Sequence, residues 1–214
     1  MELTTIQQIC VYALPVLFAI TLHEAAHAFA AKRFGDPTAF LLGRMTLNPI
    51  KHIDPLGTVI LPLACVLTQS GFLFGWAKPV PVNFEDLHNP KRDMLWVAAA
   101  GPFANLLMII GWALILKASV ALDGSMYQVP LALMGQAGIQ INMVIMLINL
   151  VPIPPLDGGR ILVSLLPNNA ARQVSRLEPY GMWIMIALLM SRVLGYVLQP
   201  IMAMMYGLLA RTIL

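Results

Sequence analysis

The sequence predicts an all-α polytopic membrane protein, with about five to six membrane helices or half-helices and a short extended or re-entrant segment near residues 56–83. Composition is the first reason. Of the 214 residues, 59% are hydrophobic and 11% charged, and the mean hydropathy is +0.78; a soluble domain carries roughly 25% charged residues. The second reason is length. A bilayer-spanning helix needs about 20 mostly apolar residues, and Leu3–Leu22, Leu56–Ala77, Met94–Leu116, Gly124–Leu156 and most of Pro179–Leu214 supply such stretches. Internal repeats, low-complexity tracts and long polar linkers are all absent, so residues 1–214 read as one membrane-embedded domain.

The first helix is expected from about Thr4 to Phe34, stopping at Gly35, Asp36 and Pro37. The N-terminus carries Glu2 and no basic residue before its apolar stretch, unlike a cleaved signal peptide, so it is expected to stay on the protein. Residues 36–55 form a polar connector. A second helix runs over Met94–Lys117, with Asn105 as the polar residue inside it, and a third over Leu131–Val151. Beyond the third, Pro152, Pro154 and Pro155 cannot continue an ordinary helix. Broken backbone at membrane depth requires protein or a water-lined cavity to satisfy its polar groups. The last 35 residues are expected to form two shorter helices meeting near Gly195 or Pro200. Cys10 and Cys65 lie singly in apolar stretches and read as small core residues, not as a disulfide or thiolate site.

The formal charge of +3 is modest, and the basic residues gather in loops beside the membrane, so nucleic acid is not an expected partner. If the first and third helices run in the same direction, Lys32, Arg33, Arg44, Lys51, Lys78, Lys91, Arg92, Arg160, Arg172 and Arg176 share one face, and the other holds little beyond Lys117. The positive-inside rule makes the crowded face cytoplasmic and puts the N-terminus outside. That parity also requires the Leu56–Gly75 segment to add no single net crossing.

The sharpest local signal is His23-Glu24-Ala25-Ala26-His27. Residues four apart share a helical face, so both imidazoles can hold one Zn²⁺ while Glu24 reaches the water in the open position. An ionisable group at the centre of a membrane helix costs at least about 2.5–3.5 kcal/mol and is usually functional. Among ten acidic residues, Glu24 and Asp157 are the two that lie in or against long apolar stretches. The plain alternative is a set of side chains hydrogen-bonded between helices or snorkelling to the interface. A catalytic zinc needs a third protein ligand. Asp157, Asp54 and His52 are candidates, and Asp157 is preferred because Gly158-Gly159 lets the backbone approach closely. Asp157 could instead cap the following helix, and His52 and Asp54 sit where turn roles are common.

These motifs, in this order, resemble the site-2 protease family of intramembrane metalloproteases. The resemblance rests on His-Glu-x-x-His at 23–27, Gly101-Pro-Phe-Ala-Asn105, and Leu156-Asp-Gly158 preceded by Asn149 and Pro152. The Gly75-Trp-Ala-Lys-Pro-Val-Pro-Val-Asn83 run resembles a compact bacterial branch, without room for a PDZ or CBS domain. The resemblance implies one Zn²⁺ per chain on His23, His27 and Asp157, Glu24 as general base, a transmembrane protein or peptide as substrate, and a bacterial inner-membrane location with the site toward the cytoplasm. Oxyanion charge calls for neutral donors, which Asn105 or Asn149 could supply. A helical substrate must unwind to expose its carbonyls. Trp76, Lys78, Pro79, Val80 and Pro81 lie in a stretch kept extended by its prolines, suited to accepting an added strand. A metal-ion transporter using the same His and acidic residues is the main competing reading.

Overall fold

The computed structural model describes residues 4–61, 64 and 75–214. Helix α1 spans Thr5–Arg33 and opens on a capping box, in which Thr4 Oγ1 accepts from Gln7 N and Gln7 Oε1 accepts from Thr4 N. Its end matches the sequence expectation. Gly35, at φ +117°, closes a Schellman turn in which Asp36 N donates to Ala31 O and Gly35 N to Lys32 O. A short α2 follows at Thr38–Leu41, then a 3₁₀ turn at Pro49–His52 and a π-helical turn at Pro55–Ile60. Asp54 accepts from Leu56 N and Gly57 N, so it caps that turn. Part of the expected re-entrant path of 56–83, residues 62, 63 and 65–74, lies outside the described residues, and Cys65 with it. Residues 75–83 are extended, without helix or paired strand.

Helix α3 covers Pro90–Val120, longer than expected at both ends, and α4 covers Gln128–Asn149, starting three residues and ending two residues before its expected bounds, because propensity alone sets helix ends poorly. Then come α5 (Asp157–Leu165), α6 (Asn168–Ser175), α7 (Gly181–Met190) and α8 (Val193–Thr212). The expected break near Gly195 or Pro200 lies instead at Ser191–Arg192, where Arg192 takes a left-handed φ of 59°. Pro200 sits within α8, which a membrane helix tolerates when its surroundings absorb the lost hydrogen bond.

Among the described residues, four helices are long and apolar enough to cross a membrane: Ile6–Arg33, Pro90–Val120, Gln128–Asn149 and Val193–Thr212. Together they make this an all-α polytopic membrane fold. Ile109, Trp112 and Ala113 of α3 pack against Ile139, Met143, Met146 and Leu147 of α4 and Leu209 of α8 to form the main core. Large apolar side chains such as Ile9, Phe18, Phe103, Leu107 and Leu208 point outward, the pattern expected of helices solvated by lipid. Cys10 is also exposed, so it is not the core residue the sequence suggested. Asp36 and Asp93 are buried, adding two acidic residues to the pair that hydropathy singled out; Asp93 Oδ2 accepts from Asn89 N at the start of α3.

The helices alternate in direction. His27 near the end of α1 meets Val97 near the start of α3, and a side chain at Gly138 or Gly135 of α4 would run into Trp112 or Leu116 of α3. Helices α1 and α4 therefore run the same way, as the parity reading required. Lys117 Nζ donates to Ile213 O at 2.6 Å, which puts Arg211 on the Lys117 side as well.

Gly138 is what allows α3 and α4 this close approach. Gly138→Val should cost about 1–3 kcal/mol by overpacking, whereas Gly111→Val, with nothing within 4 Å of its added carbon, should leave the thermal midpoint in detergent nearly unchanged.

Candidate metal centre

His23 and His27 are one turn apart on α1, so their rings stack edge to face with centroids 4.7 Å apart. Their Nε2 atoms stand 3.1 Å from each other. Asp157 Oδ2 lies 3.3 Å from each of them. All three residues are buried, and this carboxylate oxygen has no hydrogen-bond partner.

The outer ring nitrogens decide what the inner ones can do. His27 Nδ1 lies 2.7 Å from Val97 O, and a carbonyl only accepts, so Nδ1 carries the proton and Nε2 presents a lone pair. His23 Nδ1 lies 2.6 Å from Asn105 Oδ1. The Asn105 amide is oriented by Nδ2, which donates to Asn142 Oδ1 at 2.9 Å and to Ala19 O at 3.4 Å. Asn142 Nδ2 in turn donates to Gly138 O. The chain Gly138–Asn142–Asn105–His23 thus fixes the second imidazole in the same tautomer.

Three Lewis-basic atoms converging in a dry pocket fit a divalent cation. Donors held about 2.0–2.2 Å from a tetrahedral zinc are about 3.3–3.5 Å apart, close to the spacings found here. Asp157 does not use its side chain to cap α5: the cap is Leu156, with no side-chain bond. The glycines make the convergence possible. A Cβ at Gly101 would strike both imidazoles, and one at Gly158 or Gly159 would strike the backbone of Leu150 or of Ile153–Pro154.

Asn105 does not meet the expectation of an oxyanion donor. Both hydrogens of its amide are engaged, and it lies behind His23, on the Nδ1 side of the ring. It holds a ligand instead. Asn149 differs: it is half-buried at the end of α4, and its Nδ2 donates once, to Ile145 O. His52 and Asp54 stand apart from the trio. His52 is buried with Nε2 on Thr46 O, and Asp54 is a helix cap. Asn142 escaped the sequence reading; an Asn within an apolar span was the available signal.

Glu24 is half-buried, and its Oε2 accepts from Val80 N at 2.7 Å. The extended segment is thereby brought to the site. Trp76 N donates to Gly57 O and Lys78 N to His52 O; Lys78 O and Pro79 O accept from Arg44 Nη2. Lys78 and Pro79 are exposed, Trp76 and Pro81 half-buried, and Val80 is buried, packed with Ala28 and Ala39.

The model of "Peptidase family M50" matches residues 119–192, a range that contains Asp157. A Bacillus subtilis protein, "Putative zinc metalloprotease YwhC", is 37% identical over 190 residues, spanning 87% of this chain and 83% of that protein. "Putative zinc metalloprotease Rip2" of Mycolicibacterium smegmatis is 30% identical over 180 residues, spanning 84% of this chain and 66% of the relative. Its Mycobacterium tuberculosis H37Rv counterpart is 29% identical over the same length. No solved structure matches.

Removing the His23 brace should weaken metal binding without touching a ligand. Asn105→Ala should lower zinc affinity about 10–100-fold in chelator competition, while Asn149→Ala leaves it unchanged.

Proposed function

This chain belongs to peptidase family M50, the site-2 proteases, and on that premise we propose that it hydrolyses peptide bonds of transmembrane substrates as one membrane-embedded unit. The observation that carries the proposal is the meeting at 3.1–3.3 Å of His23 Nε2 and His27 Nε2, on a helix apolar enough to span a bilayer, with Asp157 Oδ2 at the start of α5. Those three residues would hold one zinc ion. When bound, zinc lowers the pKa of its water toward about 7 and polarises the scissile carbonyl.

The protein's own groups do the rest. Glu24 takes the proton of the attacking water and returns it to the leaving amine, so no covalent enzyme intermediate is required. Its Oε2 is held by Val80 N–H, leaving Oε1 to handle the proton. Asn149 has a second amide hydrogen to offer the charge that develops on the carbonyl oxygen. With their Nδ1 atoms turned to Asn105 and Val97, His23 and His27 present Nε2 toward the metal position.

The substrate is held extended along residues 76–81. The N–H groups of Trp76, Lys78 and Val80 are spent inward, and Pro79 and Pro81 have none. Among residues 77, 79 and 81, only Ala77 has an N–H. A substrate strand therefore pairs mainly by donating its own N–H groups, which narrows the strand addition read from the sequence. The crowded basic face supports a site opening toward the cytoplasm of a bacterial cell, with the N-terminus outside. Family membership favours this reading over a metal-ion transporter.

Purified wild type and Glu24→Gln, assayed on labelled transmembrane peptides and on soluble versions of the same sequences, test the proposal. Both should bind about one zinc per chain; wild type should cleave the membrane forms, and the variant should be slower by about 10²–10⁴-fold. Chelation should stop cleavage and zinc should restore it. Cleavage by Glu24→Gln at the wild-type rate would remove Glu24 as the base, and preference for the soluble peptides would remove the transmembrane substrate.

A further inference from the structure

Arg44 is 9% exposed, and among the described residues the ion pairs all involve Asp157 rather than this guanidinium. Burying an unpaired cation is costly unless strong acceptors replace water. Here the acceptors are two backbone carbonyls of one short segment, Lys78 O at 2.9 Å and Pro79 O at 3.3 Å from Nη2. Asp36 is 0% exposed and reaches the other end of that segment: its Oδ2 accepts from Asn83 N at 2.8 Å, while Oδ1 accepts from Thr38 N. Between the two clamps lies Val80, whose N–H is on Glu24. Two buried charges of opposite sign thus grip a backbone run that touches the membrane-depth carboxylate through one amide.

The segment makes no sheet; Val80 is buried against Ala28 and Ala39, Val82 packs on the Ala31–Leu87–Val97 cluster, and the Trp76 ring covers Gly57. Hydrogen bonds to charged groups are the stronger kind, and both are spent where the segment passes Glu24.

We propose that Arg44 and Asp36 are positioning residues that act through the 76–83 segment to fix the Glu24 carboxylate. Pro79 and Pro81 flank Val80, so this amide is the donor available between them, and its place is set by the clamps on either side. The proposal rests on Glu24 as the base, but its physical content is a coupling between Arg44, Asp36 and Glu24 that is present without substrate.

Amide hydrogen exchange on the full-length, zinc-loaded protein in detergent reads that coupling. Arg44→Gln and Glu24→Ala should each speed exchange at Lys78, Val80 and Asn83 by about tenfold, with α3 unchanged. The double variant should show less than the product of the two effects, because both free the same segment. Arg44→Lys, which keeps the charge and a donor, should recover part of the protection. Should Arg44→Gln fail to fold, Asp36→Asn carries the same expectation at Val80 and Asn83. Wild-type exchange at Val80 in Glu24→Ala, or equal acceleration of α3 in the Arg44 variants, would overturn the proposal. Since no substrate is used, this result stands apart from whether Glu24→Gln loses hydrolysis.

Discussion

Two imidazole nitrogens and a carboxylate oxygen buried against one another are a costly arrangement that a cation between them relieves. That arrangement organises the helices about it. His23 and His27 must leave α1 on the face that meets α3, and α3 must come close enough for Val97 O and Asn105 Oδ1 to take the outer ring protons. Gly101 grants the clearance. Asp157 must then reach the same point from the far side of the chain, which requires α5 to begin at depth and the loop before it to fold back on itself. The packing of Gly158 and Gly159 against that loop is how it does so.

The candidate metal centre and the 76–83 segment beside it are held in different ways. His23 and His27 stand on the long helix α1, held against α3 by Val97 O and Asn105, and Asp157 opens the short α5. The segment beside Glu24 rests on two small clusters through Val80 and Val82 and on separate hydrogen bonds, donated by Arg44 and accepted by Glu24 and Asp36.

Much of this was open to sequence reasoning, and the physical reasons differ by element. Long apolar stretches gave the first three long helices, because burial in lipid leaves few other options for the backbone. Helical spacing paired His23 with His27, and the glycine pair after Asp157 marked a close approach. The break at Arg192 was hidden, because Gly195 and Pro200 are stronger breakers locally than the residues where the chain turns. Asn105 was read as an oxyanion donor, whereas its amide oxygen meets His23 Nδ1, since an amide in a span signals a polar contact without saying which one. Arg44 and Asp36 looked like an interfacial cation and a turn residue. Their burial depends on the return of residues 76–83, a contact across some forty positions that local pattern does not encode.

The central claim is that this site holds zinc through His23, His27 and Asp157. X-ray absorption at the zinc edge of the purified protein addresses it directly. The account predicts a four-coordinate light-atom shell at about 2.0–2.2 Å with the outer-shell signature of two imidazoles, altered in Asp157→Ala. A sulfur shell at about 2.3 Å, or a spectrum that Asp157→Ala leaves unchanged, would contradict it.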